Sequence, residues 1–148
     1  MLNNEAVDIL VVEDNDSERA SIVETLKLAI PDVQIVAVNS GADAMDFLLA
    51  RNQWKERVGE DPPKLILLDL ELPGTDGFSI LGQIRSIEPQ DSLTLTPVVV
   101  FTDSKATGNV VKSYHCGANS YIMKPVSFPD FQAIVKTIAQ YWITHNKT

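Results

Sequence analysis

Glu13, Asp14, Asp69, Thr102 and Lys124 stand in one recurring setting: each lies at the carboxyl end of a short apolar run. The runs are Asp8-Ile9-Leu10-Val11-Val12, Leu65-Ile66-Leu67-Leu68, Val98-Val99-Val100-Phe101 and Ser120-Tyr121-Ile122-Met123. Runs this short, without polar alternation, read as strands buried on both faces of a parallel sheet. In open α/β sheets ligands bind outside the carboxyl ends of the strands. The order therefore predicts three carboxylates, a hydroxyl and an ammonium gathered on one edge, which is the chemistry of a metal-assisted phosphoryl site. Taken singly, each residue has a plainer use. Adjacent acids cap turns, a threonine suits a strand, and a lysine is usually a surface charge. Crowded carboxylates, however, are unfavourable unless a cation neutralises them or a proton is retained. A hard divalent cation with oxygen ligands and retained waters, magnesium before calcium, fits that set.

The elements that must position these residues alternate along the chain. A strand at about 7–12 precedes a helix from about Asp16 to Ala29, with Ala20, Val23, Leu26 and Ile30 at helical spacing. Pro31 ends it, and Val33–Val38 returns as a strand. Ser40 reads as the N-cap of a helix over Ala42–Leu49, with Asp43 in a capping-box-like position. Arg51 to Lys64, with Gly59, Pro62 and Pro63, reads as a long loop. Past Asp69 and the turn-rich Leu72–Gly77, a helix runs from about Phe78 to Ile87. A second polar loop (88–96) leads into the fourth strand, a helix near Lys105–Cys116 and a short fifth strand. Ser127, Pro129 and Asp130 mark the start of the last helix, whose apolar stripe is Phe131, Ile134, Val135, Ile138, Tyr141 and Trp142. Five βα units predict a three-layer α/β/α, doubly wound domain around a five-stranded parallel sheet.

Composition excludes several function classes. The chain has 148 residues, 45% hydrophobic and 22% charged, as in a single globular domain. A formal net charge of −8 argues against a face for nucleic-acid backbones. No run approaches a membrane span, the first residues lack the pattern of a signal peptide, and the lone Cys116 offers no internal disulfide. A cytoplasmic location, no membrane partner and no direct nucleic-acid partner are the expectation.

The residues Val11-Val12-Glu13-Asp14-Asn15, Leu67-Leu68-Asp69 through Gly77, Phe101-Thr102 and Gly117-Ala118-Asn119-Ser120-Tyr121-Ile122-Met123-Lys124-Pro125 together resemble the receiver domain of two-component response regulators. The resemblance covers about 7–142, implies a flavodoxin-like fold of receiver type, and implies one receiver domain with no output domain. It implies Asp69 as phosphoacceptor, with Mg2+ held by Glu13, Asp14, Asp69 and the backbone carbonyl of Glu71. Thr102 and Lys124 would hold phosphoryl oxygens, Thr102 and Tyr121 would form a switch, and Lys124-Pro125 would be a cis peptide. The donor would be a sensor histidine kinase, the domain catalysing only its own phosphorylation and dephosphorylation. The long loop before the third strand, the Gly117–Ile122 run and the Tyr141-Trp142 ending are similar to the single-domain cyanobacterial phytochrome-associated regulators, which implies a phytochrome-type kinase.

Output must then come from binding, and a homodimer is expected. Tyr141 and Trp142, being consecutive, cannot both point into the core, so one is expected at a homodimer or kinase surface. Phe131 is expected to cover the sheet, His115 and His145 to lie on the surface, and Cys116 to pack. Asp103, where receivers usually have a small residue, and Glu71 depart from the pattern and are expected to alter phosphotransfer kinetics. Two other functions compete: a receiver-like scaffold that is never phosphorylated, and a haloacid-dehalogenase-type phosphatase. The latter would need a second Asp where Glu71 stands and an acidic pair downstream instead of upstream. A flavin carrier is disfavoured because Glu13-Asp14-Asn15-Asp16 is too acidic to cradle a phosphate.

Overall fold

The computed structural model describes residues 6–74, 76–87, 95–103 and 107–147. Ten elements alternate: β1 Ile9–Val12, α1 Asp16–Ala29, β2 Ile35–Val38, α2 Gly41–Leu48, β3 Leu65–Leu68, α3 Gly77–Arg85, β4 Val98–Thr102, α4 Thr107–His115, β5 Ser120–Met123 and α5 Phe128–Ala139. The strands form one sheet in the order β2-β1-β3-β4-β5, every neighbouring pair parallel.

Residues in β1, β3 and β4 are buried throughout, and pleating divides them between two cores. Leu10, Val12, Ile66, Leu68, Val98 and Val100 pack with Ala44, Met45 and Phe47 of α2 and Ile80, Leu81 and Ile84 of α3. Ile9, Val11, Leu65, Leu67, Val99 and Phe101 meet Ile22 and Leu26 of α1 and Phe131, Val135, Ile138 and Ala139 of α5. These are the three layers expected. The outer strands β2 and β5 are only half-buried.

The chain reverses direction across the sheet between β1 and β3, and registers them so that Val12 lies opposite Leu68. The next residues, Glu13 and Asp69, thus occupy matching positions on neighbouring strands, about 4.8 Å apart by strand spacing. The Asp69 N–H donates to the Val12 carbonyl (3.0 Å) and the Glu13 N–H to Val38 (3.1 Å), carrying the pairing one residue past the ladders.

Side-chain caps fix the helix starts that face this edge. Asn15, Ser40, Asp76 and Ser127 accept from the backbone N–H groups of Glu18, Asp43, Ser79 and Asp130, each worth about 1 kcal/mol. At the opposite edge Arg85 clasps the entries to β4 and β5. It donates to the carbonyls of Thr96 (2.8 Å) and Gly117 (3.0 Å) and to Asn119 Oδ1 (2.8 Å). Burial of the guanidinium lowers its pKa from the usual value.

Several expectations need correction. The buried face of α1 is Ile22, Thr25 and Leu26; Ala20 is exposed and Val23 half-buried, because the helix turns toward both β1 and α5. The segment 51–64 contains a 3-10 helix, Asn52–Arg57, anchored by Trp54 edge-on to Phe47 (5.6 Å) and by Arg57 over the same ring (3.9 Å). A π-helical turn, Gln140–His145, extends α5. Lys105 and most of the 88–96 loop lie outside the described residues.

Gly77 begins α3 against the turn after Asp69; a Cβ there would lie 2.6 Å from Leu70 Cα and 2.9 Å from the Asp69 carbonyl oxygen. Gly77→Ala is expected to destabilise by about 1–3 kcal/mol through this backbone clash. Gly82, in the same helix with nothing within 4 Å of its Cβ position, should instead stabilise by about 0.5–1 kcal/mol as Ala. Urea denaturation of both variants reads the two signs.

Candidate functional site

Lys124 is the hub. It is the residue after β5, and its N–H donates to the Thr102 carbonyl at 2.8 Å, so the ends of β4 and β5 stay joined where the side chains turn to the site. Its side chain is 2% exposed, and the ammonium donates to Glu13 Oε1 at 2.6 Å and Asp69 Oδ2 at 3.1 Å. Glu18 Oε1, from the first turn of α1, lies 3.2 Å from the same nitrogen. Both remaining oxygens are also held: Asn15 N–H donates to Glu13 Oε2 (3.1 Å) and Glu71 N–H to Asp69 Oδ1 (3.0 Å). Arg19 braces the loop from behind, donating to the Glu13 carbonyl at 2.9 Å while paired with Asp16 at 2.6 Å.

The five residues read from the sequence do come to one edge, with unequal exposure. Glu13, Asp69, Thr102 and Lys124 are buried, and Asp14 is exposed. Carboxylate oxygens of Glu13, Asp14 and Asp69 lie within 4.8 Å of one another. Three hard carboxylate oxygens at this separation, one of them on the exposed Asp14, fit a divalent cation that keeps part of its water shell. Asp103 and Glu71 are exposed. Tyr121 is half-buried against the α2/α3 core, its N–H donating to Tyr114 Oη at 3.2 Å.

One expectation fails: no peptide bond among the described residues is cis, so Lys124-Pro125 is trans. Trans remains the lower-energy isomer even before proline, by about 0.5–1 kcal/mol, and from it Lys124 still reaches both Glu13 and Asp69. Three residues were missed. Asn15, Glu18 and Arg19 all act on the site, and the signal was the capping-box spacing of Asn15 and Glu18 directly behind the acidic pair.

Among the surface residues, Phe131 covers the sheet as expected, tilted on Phe101 at 5.4 Å. Trp142 packs on the α1/α5 core, whereas Tyr141 is half exposed and meets Trp142 edge-on at 5.0 Å. His115 and His145 are exposed, and Cys116 packs partly buried on the α2/α3 core. Among the described residues no helix is long and apolar enough to cross a membrane.

The carboxyl edge of this doubly wound sheet thus carries an acidic cluster at its switch point and a buried lysine that reaches it from the end of β5. Residues 9–136 match the family model of the response regulator receiver domain, and the chain belongs to that family. It is 33% identical over 135 residues to the response regulator Rcp1 of Synechocystis, covering 91% of this chain and 88% of that protein. A probable methanogenesis regulatory protein, FilR2 of Methanothrix harundinacea, is 34% identical over 140 residues, covering 95% and 86%. Among solved structures, the phosphorylated cyanobacterial phytochrome response regulator RcpA superposes with a TM-score of 0.86 at 32% identity, covering 97% of this chain and 98% of that one. The Mn(2+)-bound form of Rcp1 does so at 0.84 and 32%, covering 95% and 97%.

Burial pushes the Glu13 carboxyl up from 4.5 to about 7; the Asp69 charge adds to this, while the Lys124 hydrogen bond and charge oppose it. For Lys124, burial alone would lower the pKa, but the hydrogen bond to Glu13 and the charges of Asp69 and Glu13 outweigh it and raise it. An acid whose folded pKa exceeds its unfolded value holds its proton more tightly when folded, so the stability it contributes is lost as pH rises between those values. In chelator-treated protein the stability of wild type relative to Glu13→Gln is therefore expected to fall by about 1–3 kcal/mol from pH 4.5 to 7. Urea denaturation of both proteins across that range checks the sign, and a relative stability that rises with pH contradicts it.

Proposed function

We propose that the protein is a phosphoacceptor response regulator: it takes a phosphoryl group from the phosphohistidine of a sensor kinase onto Asp69 and signals through altered protein binding. The observation that supports this most directly is the buried Lys124 ammonium joining Asp69 to Glu13. It leaves a positive charge waiting beside the carboxylate where a phosphoryl group would be accepted. An Asp69 oxygen attacks phosphorus, the O–P bond forms as the N–P bond to the imidazole breaks, and Lys124 and the Thr102 hydroxyl steady the phosphoryl oxygens. Mg2+, held by Glu13, Asp14, Asp69 and the Glu71 carbonyl, would supply charge neutralisation on the transferring group. Water later hydrolyses the acyl phosphate and returns the Asp69 carboxylate.

An added phosphoryl group of about −1.5 to −2 charges draws Thr102 toward it, and Tyr121 moves toward the space vacated, shifting a two-state equilibrium. The kinase is read as a phytochrome-type sensor, supported by the likeness to RcpA, and the working form as a cytoplasmic homodimer. FilR2 is as similar, so a sensor kinase of another class is the alternative outcome of a kinase test.

The experiment is intact mass after incubation with Mg2+ and a small acyl-phosphate donor. One added phosphoryl group is expected in wild type, none in Asp69→Asn and none with a chelator. An unmodified wild type that also fails to bind beryllofluoride would favour a scaffold role. Continuous turnover of an added phosphate ester would favour a phosphatase.

A further inference from the structure

Glu18 has no part in the three-carboxylate cluster of Glu13, Asp14 and Asp69, yet its Oε1 lies 3.2 Å from the Lys124 ammonium. An ammonium has three N–H donors. Glu13 and Asp69 accept hydrogen bonds from it, and Glu18 is the third anion it faces. The three anions differ in how firmly they are held. Glu13 and Asp69 follow central strands and are 2% and 6% exposed, whereas the Glu18 side chain is 30% exposed and makes the longest of the three contacts. Glu18 also lines an open groove between α1 and the loop after Lys124, with Ser17, Ser21, Pro125, Val126 and Phe128. It has room to swing away, while its backbone stays fixed by the N–H it donates to Asn15 Oδ1 at 2.9 Å.

We propose that Glu18 is a positioning residue that holds the Lys124 ammonium in the unphosphorylated protein and competes for it with the phosphoryl group arriving on Asp69. The proposal rests on Asp69 being the phosphoacceptor. It makes Glu18 a brake. Its carboxylate repels an anionic donor and occupies the ammonium that the transferring phosphoryl oxygens need. Both effects slow phosphorylation, and both end when Glu18 swings into the groove.

The test compares Glu18→Gln with Glu24→Gln, an equal charge change on an exposed residue of the same helix. With Mg2+ and a small acyl-phosphate donor, Glu18→Gln is expected to raise the saturating rate of phosphorylation about 3- to 10-fold, and Glu24→Gln to leave it within about 2-fold. A general field effect would instead lower the half-saturating donor concentration in both variants, and that result overturns the proposal. In metal-free protein, the 15N signal of the Lys124 ammonium is expected to shift in Glu18→Gln and hold in Glu24→Gln. An unmoved signal overturns the proposal even where wild type is phosphorylated. A wild type that takes up no phosphoryl group overturns the functional reading itself, and this proposal with it.

Discussion

Everything at the carboxyl edge of this sheet depends on one buried ammonium. Parallel register brings Glu13 and Asp69 to adjacent positions, and two desolvated carboxylates at strand spacing repel strongly. Lys124, 111 residues beyond Glu13 in the chain, is the positive charge that offsets this repulsion by bonding to both. Removing one partner from such a buried group leaves the others unpaired, which costs about 3–5 kcal/mol. The charges that the proposed function would use thus also hold the edge together. A substitution at Lys124 changes how the edge folds as well as what it binds, whereas an amide at Asp69 or Glu13 keeps the shape and removes the charge.

The sheet makes that arrangement reproducible. Strands buried on both faces cannot slip by a residue without exchanging their two core sets, so the register that aligns Glu13 with Asp69 is defended by the packing of α1 and α5 on one side and α2 and α3 on the other. Gly77 lets α3 start directly against the backbone of Asp69 and Leu70. Arg85 ties the beginnings of β4 and β5 together, and their ends are tied by the Lys124–Thr102 backbone bond. The positions of Thr102 and Lys124 are therefore set from both ends of their strands.

What was legible in the sequence was local. Uninterrupted apolar runs marked the central strands, the caps at Ser40 and Ser127 marked helix starts, and acids or polar groups after those runs marked the edge. What was hidden was set by distant partners. The buried face of α1 depends on how it shares itself between the sheet and α5, and periodicity alone gave Ala20 where the structure buries Ile22. The 3-10 helix at Asn52–Arg57 exists because Trp54 and Arg57 find Phe47, a contact that a Gly- and Pro-containing loop does not advertise. Arg85 was invisible because its acceptors, Thr96, Gly117 and Asn119, are scattered in sequence, and Gly117 has φ +107 with its Cβ position 2.6 Å from Arg85 Cγ. Glu18 was within reach, since its spacing from Asn15 is a recognisable cap, but its contact with Lys124 has no local sign.

The burial gradient across the sheet decides where a change at the edge can go. β1, β3 and β4 are sealed on both faces, and moving them would open voids in two cores at once. β5 is an outer strand whose residues are half-buried or exposed, and it leads directly into Lys124. A shift of the ammonium toward a new anion therefore pulls on β5 before any other strand. Tyr121 N–H meets Tyr114 Oη, so the pull reaches α4, whose outer face carries the exposed Val111 and Tyr114 beside Met123 of β5. Under the proposed function, an electrostatic event on Asp69 would be felt first in the apolar surface at α4 and β5, the part of the fold with the least packing to lose.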